Sequence, residues 1–267
     1  MTVLVIGGTG TTGRPLVELL RGRGAPVRVG SRHPNGPDHV RFDWADPDSH
    51  RAALDGADRV YLVPPVGVLD PMPLVGPFLE RAAGRRVVLL SSSLEVPDAP
   101  GLLELRDRVA RTDGGAVLRP SGFMQNFTGE HPVAVGVRGG EIVTATGSGR
   151  IGWIDAADIA AVAARLLTER HDVTGEHVLT GPDALSYADA ARIVTEVTGR
   201  PVRHRCIGVD ELARALTAAL PADFAAALAA ADALIRDGAE DRTTSAVADL
   251  TGRPPRDFRD FVRSELR

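Results

Sequence analysis

Lysine is missing altogether: all 31 basic residues of this 267-residue chain are arginines. There is therefore no P-loop ammonium to hold a nucleotide phosphate, no Schiff-base amine and no lysine to assist a catalytic tyrosine. Arginine stays protonated, so it binds anions well and shuttles protons poorly. Cysteine is almost as scarce. The single Cys206 excludes an intrachain disulfide framework and offers no thiolate cluster for zinc. The seven histidines are scattered, with no HExxH and no helical pair, so no metal site is expected. Long apolar runs are absent too. The least polar stretch, Pro221 to Ile235, is alanine-rich, carries Asp223 and Asp232, and is too short and polar to span a bilayer. A strand-like run begins at Thr2, which leaves no room for a signal peptide, and a cytoplasmic protein is expected. The net charge of −4 argues against a broad basic footprint for nucleic acid.

What is present is an ordinary globular composition, 43% hydrophobic and 25% charged. The length suits one large domain, or one carrying a smaller lobe. Thr2 to Gly7 is a short β-branched run of the kind buried on both faces of a sheet. Leu16, Leu19 and Leu20 then recur at helical spacing. The alternation continues with strands at Pro26 to Gly30, Val40 to Phe42, Arg59 to Val63, Val87 to Leu90 and Ala116 to Leu118. Helices lie between them at His50 to Leu54, Leu74 to Ala83 and Leu102 to Ala110. Such a series predicts right-handed βαβ units and a doubly wound parallel sheet. After Pro120 the texture changes: a glycine-rich stretch with one strand-like piece at Ile142 to Thr146, a helix at Asp155 to Leu167, a last strand at Glu176 to Thr180, and a mostly helical remainder. The expected division is a dinucleotide-binding domain at 1–125 and 150–182, with a smaller, mainly helical substrate lobe at 126–149 and 183–267.

Gly7-Gly8-Thr9-Gly10-Thr11-Thr12-Gly13 links the first strand to the first helix. A GxxGxxG turn at that switch brings backbone and a helix N-terminus up to a pyrophosphate, so Gly7, Thr9, Gly10, Thr11, Thr12 and Gly13 are candidate cofactor ligands. In a NAD site an acidic residue about twenty positions on accepts from the ribose hydroxyls. Here the second strand ends Val29-Gly30-Ser31-Arg32-His33, with no acid. Ser31 can donate to a phosphate and Arg32 can pair with one through its planar fork, which favours NADP(H). Asp43, followed by Trp44, either sits near the adenine or caps the helix after Pro47. Val63 and Pro64 begin the loop under the cofactor; Pro64-Pro65 shapes it without donating backbone hydrogen bonds.

Taken together these residues resemble the NmrA-like family of atypical short-chain dehydrogenases/reductases. The glycine turn is similar to that family's phosphate turn. So are Leu118-Arg-Pro-Ser-Gly-Phe-Met-Gln-Asn126, Gly152-Trp-Ile-Asp-Ala-Ala-Asp-Ile-Ala160 and Glu176-His-Val-Leu-Thr-Gly-Pro182. The resemblance covers roughly residues 1–210. It implies a Rossmann-type fold and quinone or carbonyl reduction, natural-product tailoring or cofactor sensing. Ordinary short-chain reductases use Tyr-x-x-x-Lys; this chain lacks lysine, its tyrosines are Tyr61 and Tyr187, and the corresponding helix reads Glu104-Leu-Arg-Asp-Arg108. The usual proton donor is absent.

Candidates for the chemistry lie at the carboxyl ends of the strands. Ser91, Ser92 and Ser93 end the fifth; Ser92 can bond a substrate carbonyl, or it and Ser91 can touch the nicotinamide ribose. After the sixth come Pro120, Ser121, Phe123, Gln125 and Asn126. Asn126 can donate to an oxyanion, with Phe123 and Phe127 either walling the site or packing in the core. His131, in the loop after Asn126, is either a solvated loop histidine or the one imidazole near a substrate. Arg119 reads as a structural bond, and Asp155 with Asp158 as a helix cap. The catalytic candidates are thus Ser92, Asn126 and His131. The expectation is an NADPH-dependent reductase of a quinone or ketone, monomeric or homodimeric, with neither nucleic acid nor membrane as partner. The alternatives are an NADP(H)-sensing regulator, or a tailoring epimerase or isomerase that borrows and returns a hydride.

Overall fold

The computed structural model describes residues 1–95, 99–169, 174–218 and 220–266. In chain order the elements begin β1 (Val3–Ile6), α1 (Gly13–Gly22), β2 (Val27–Ser31), β3 (His39–Arg41), α2 (Pro47–Leu54), β4 (Arg59–Leu62), α3 (Met72–Arg81), β5 (Arg86–Leu90), α4 (Pro100–Ala110) and β6 (Ala116–Pro120). A 3₁₀ turn at Met124–Phe127 follows, then α5 (Pro132–Gly139), β7 (Glu141–Thr144), β8 (Arg150–Ile151), α6 (Ala156–Thr168), β9 (Gly175–Leu179) and β10 (Leu185–Ser186). The chain ends with α7 (Tyr187–Thr198), β11 (Arg203–Cys206), α8 (Val209–Leu216), α9 (Ala222–Arg236), α10 (Ala246–Thr251) and α11 (Phe258–Glu265).

Seven strands form one sheet in the order β3-β2-β1-β4-β5-β6-β9. The pairs from β3 through β6 are parallel, with Val3 opposite both Val27 and Arg59. Gly175 N–H donates to Gly115 and Ser121 N–H to Leu179, so β9 runs the same way as β6. This is the doubly wound α/β arrangement expected from the alternating pattern. The order turns back at β1, which leaves β4 beside it and a switch point between their carboxyl ends. All four residues of β1 are buried. Leu4 and Ile6 enter a core with Phe42, Leu62, Phe78 and Leu89; Val3 and Val5 alternate to the opposite face, and α1 packs against β1 with Leu16, Val17 and Leu20 buried.

The chain divides into two compact units, Met1–Ser92, Ala99–Arg119 and Ile159–His177 in the first, and Ser93–Asp98, Pro120–Asp158 and Val178–Arg267 in the second. The second has its own core of Phe127, Ile142, Trp153, Tyr187, Phe258 and Phe261. It also holds two small sheets, β8 with β10 and β7 with β11. Neither β8, β10 nor β11 follows from the hydrophobic pattern. The first two have two residues each, and Arg-His-Arg-Cys of β11 is mostly exposed, held by its parallel register on β7.

Asp232 ties α9 to the end of β7 by accepting the Ala145 N–H at 2.8 Å. Ala145 sits in a small core with Leu212 and Ala229. Burial opposes the charge and pushes the Asp232 carboxyl up to about 6, despite that one donor. A raised carboxyl pKa stabilises the fold at low pH, and that contribution is lost as pH rises through the folded value. Asp232→Asn keeps the acceptor and removes the charge. Its stability relative to the parent should therefore rise by about 2 kcal/mol between about pH 4 and pH 8. Denaturant unfolding at both pH values measures this, and a constant difference would contradict it.

Candidate active site

In the first unit the backbone turns from β1 into α1 in a space too small for a side chain at Gly8 or Gly13. Gly7 has φ +69°, outside the range most residues adopt. A Cβ on Gly13 would stand 2.1 Å from the Gly7 carbonyl oxygen and 2.7 Å from Gly8 Cα. One on Gly8 would stand 2.7 Å from Val29 Cγ1. The turn is closed by Gly10 N–H to Gly7 at 2.8 Å, while Thr9, Gly10 and Thr11 are exposed. No acidic residue lies in the first turn of α1, so no carboxylate of that turn offsets the positive end of the helix. Thr12 is buried and accepts the Tyr61 hydroxyl at 3.0 Å. Burial holds that phenol well above its usual value, which removes Tyr61 as an acid.

The other candidates of this unit lie around the same strand ends. The Val63 side chain faces Gly7 at 3.6 Å from its ideal Cβ, and the Val63 carbonyl accepts Trp44 Nε1 at 3.2 Å. Trp44 also packs edge-on against Phe42 and Phe78. Asp43 does not cap α2; that position belongs to Asp46, and Asp43 Oδ1 instead accepts the Ala45 N–H at 3.0 Å. The Ser31 hydroxyl accepts the His33 N–H at 3.2 Å in a local turn. Arg32 is exposed and has no ion-pair or hydrogen-bond partner among the described residues. Pro64 is half-buried. At the end of β5, Ser91 N–H bonds Leu118 at 2.8 Å and Ser92 is exposed. Arg119 bonds the Ser92 carbonyl at 3.2 Å and Glu176 at 2.9 Å, the structural role expected of it.

In the second unit the segment after β6 is pinned. Ser93 N–H bonds the Pro120 carbonyl at 2.9 Å, and the Ser121 hydroxyl donates to the Gly152 carbonyl. Ile154 donates to Gly122 at 2.9 Å and Met124 to Ile154 at 2.8 Å. The two phenylalanines part company. Phe127 is 1% exposed and packs on Trp153 and Phe258, whereas Phe123 is half-exposed. The half-exposed Asn126 side chain has no partner among the described residues. His131 Nδ1 accepts the Val133 N–H at 3.2 Å and so caps α5. Desolvation lowers the His131 pKa, partly offset by a bond to the Asn126 carbonyl, so at neutral pH the ring is uncharged. Tyr187 is buried and its phenol pushed far up.

Several residues with strong local bonding escaped the sequence patterns. Asp155 caps α6 through Ala157 N–H at 2.8 Å, as expected, yet it also binds Gln125 and Arg256 at 2.8 and 2.7 Å. Asp158 pairs with Arg253 at 2.7 Å. Buried Glu240 accepts the Ser93 hydroxyl at 2.7 Å. The only hint was the close spacing of the two aspartates. Among the described residues no cluster of histidine, cysteine or carboxylates suits a metal, and no helix is long and apolar enough to cross a membrane.

No family model matches the chain. It is 41% identical to the uncharacterized oxidoreductase YesF of Bacillus subtilis, over 97% of this chain and 93% of YesF. It is 38% identical to an agroclavine dehydrogenase of Claviceps fusiformis, over 98% and 96% of the two chains. A solved structure of the Escherichia coli NADPH-dependent quinone oxidoreductase in complex with NADPH superposes with a TM-score of 0.84 and 21% identity, covering 100% of each chain.

The crowding at the glycine turn yields a direct test. Gly13→Ala should cost about 1–3 kcal/mol of unfolding free energy, because the added methyl meets fixed backbone. Gly10→Ala, whose Cβ would stand 3.1 Å from the Gly7 oxygen, should cost less. Equal stability of Gly13→Ala and the parent in denaturant unfolding would show that the turn is loose.

Proposed function

Because the chain belongs to the oxidoreductase family that includes YesF and the agroclavine dehydrogenases, we propose that it is an NADPH-dependent reductase of quinones or ketones. Within that family we propose an NmrA-like atypical short-chain reductase, which its motifs resemble. The observation that carries the reading is the glycine turn, with no room for a Cβ at Gly8 or Gly13, followed at the end of β2 by Arg32, which has no partner among the described residues. That turn brings bare backbone N–H groups and a helix N-terminus to a pyrophosphate. Arg32, beside Ser31, offers a bidentate fork to the 2′-phosphate where a NAD site has a carboxylate. We assign Asp43 and Trp44 to the adenine end, Val63 and Pro64 to the loop beneath the cofactor, and Ser91, Ser92, Pro120 and Phe123 to the nicotinamide half. NADPH, when bound, supplies the hydride.

The chain's own part is to orient the acceptor and hold its oxygen. Asn126 has a carboxamide without a partner among the described residues, on a pinned backbone, the arrangement that stabilises developing negative charge without reorganisation. We assign Ser92, as a hydroxyl donor, and His131, as a neutral imidazole, as the other two candidate catalytic residues. With Tyr61 and Tyr187 buried and no lysine, the proton comes from solvent. A quinone tolerates this best, because its reduced anion is stable before protonation. We propose that residues 1–125 and 150–182 bind the cofactor and that 126–149 and 183–267 bind the substrate.

A panel of quinones and ketones, followed by loss of NADPH absorbance, tests the activity. Turnover is expected with quinones ahead of simple ketones; cofactor binding without turnover on any acceptor would instead favour a sensor. Arg32→Glu should weaken NADPH about 10-fold or more while sparing NADH. An unchanged preference in a binding titration would remove the phosphate assignment.

A further inference from the structure

Two adjacent carboxamides are treated in opposite ways. Asn126 is left without a protein partner among the described residues, whereas both ends of Gln125 are used. Gln125 Nε2 donates to Asp155 Oδ1 at 2.8 Å, and Gln125 Oε1 accepts the Ala156 N–H at 2.9 Å. A glutamine bound at both ends has one orientation and one backbone position. Its carbonyl is used as well, accepting the Thr128 N–H at 3.0 Å and the Thr128 hydroxyl at 2.9 Å. The 3₁₀ turn that presents Asn126 is therefore framed on either side of that residue by Gln125 contacts.

Gln125 in turn hangs on a carboxylate that is 1% exposed. Capping of α6 accounts for one Asp155 contact, through Oδ1 to Ala157. It does not account for Oδ2, which holds Arg256 Nη1 at 2.7 Å. Arg256 is fixed independently: its backbone N–H bonds Asp158 Oδ2 at 2.7 Å, its guanidinium lies 5.4 Å over the Phe261 ring, and Nη2 donates to Ser264. The guanidinium gives the buried carboxylate an ionic partner, and a carboxylate so paired is a strong acceptor for the Gln125 amide.

We propose that Gln125, Asp155 and Arg256 are positioning residues that hold Asn126 for donation to the acceptor oxygen, an inference that rests on the role assigned to Asn126 above. It extends the working site to the C-terminal segment, linked to Asn126 through Arg256, Asp155, Gln125 and the 3₁₀ turn.

A double-mutant cycle with a carboxamide spectrum tests it. Gln125→Met keeps the shape, removes both side-chain bonds and leaves the Asp155–Arg256 pair to support the fold. Asn126→Ala should lower kcat on the order of 100-fold. Gln125→Met alone should lower it about 10-fold, with the NADPH Kd unchanged, but less than about 2-fold in the Asn126→Ala background. The chain has only three carboxamide side chains, Asn35, Gln125 and Asn126, so ¹⁵N labelling of asparagine and glutamine gives three NH₂ pairs without cofactor or substrate. The Asn126 pair should shift in Gln125→Met and in Arg256→Gln. The inference is overturned if that pair stays put, or if Gln125→Met costs the same factor with and without Asn126. An unchanged kcat in Asn126→Ala would instead overturn the role of Asn126, and this inference with it. Should Gln125→Met fail to fold, Arg256→Gln enters the same cycle with the same expectations.

Discussion

The close approach of Gly13 to the Gly7 carbonyl is the constraint on which the first unit rests. Only a chain without side chains at these points can leave a fully buried strand and enter a helix within six residues. The tightness has two results. It seats α1 on β1 and β2 with Leu16, Val17 and Leu20 inside, and it leaves the exposed Thr9 to Thr11 backbone at the positive end of that helix. Val63 at the end of β4 closes on Gly7 and is itself held by Trp44. The packing that stabilises the sheet is the same packing that shapes the glycine turn, the proposed anion cradle.

The all-arginine composition takes on a structural meaning beside this. Guanidinium groups repeatedly terminate backbone segments by binding carbonyls. Arg28 holds Ala52 and Ala53 at the end of α2, Arg85 holds Ala57, and Arg59 holds Glu169 after α6. A planar fork can take two such oxygens at once, whereas an ammonium acts as a point charge. In the second unit the same fork meets buried carboxylates, Arg256 on Asp155 and Arg253 on Asp158. The missing lysine thus removes a proton-transfer partner and leaves scaffolding roles to arginine. Arg32, exposed and without a partner among the described residues, stands apart from that pattern.

Local signals carried much of the fold. A β-branched run followed by GxxGxxG and leucines at helical spacing leaves little freedom, and every strand from β1 to β6 falls within a few residues of its expected place. β11 was invisible because its register is set by β7 and not by its own polar, exposed residues. Phe123 and Phe127 could not be told apart in sequence, since which of them reaches Trp153 depends on the 3₁₀ turn between them. The Asp155–Arg256 bond joins residues 101 positions apart, and nothing local distinguishes Arg256 from thirty other arginines. Long-range ionic contacts of this kind arise from tertiary structure alone, and this one meets the Gln125 side chain at Asp155.

In the proposed reaction, hydride reaches an acceptor without a proton held by the protein. The pH dependence of the single-turnover rate with a quinone and saturating NADPH tests it most directly. With Tyr61 and Tyr187 buried and raised, and His131 lowered into its neutral form, the rate should be flat from about pH 7 to pH 9. A rate that falls across that range with the titration of one protonated group would contradict the account and reveal an acid in the site.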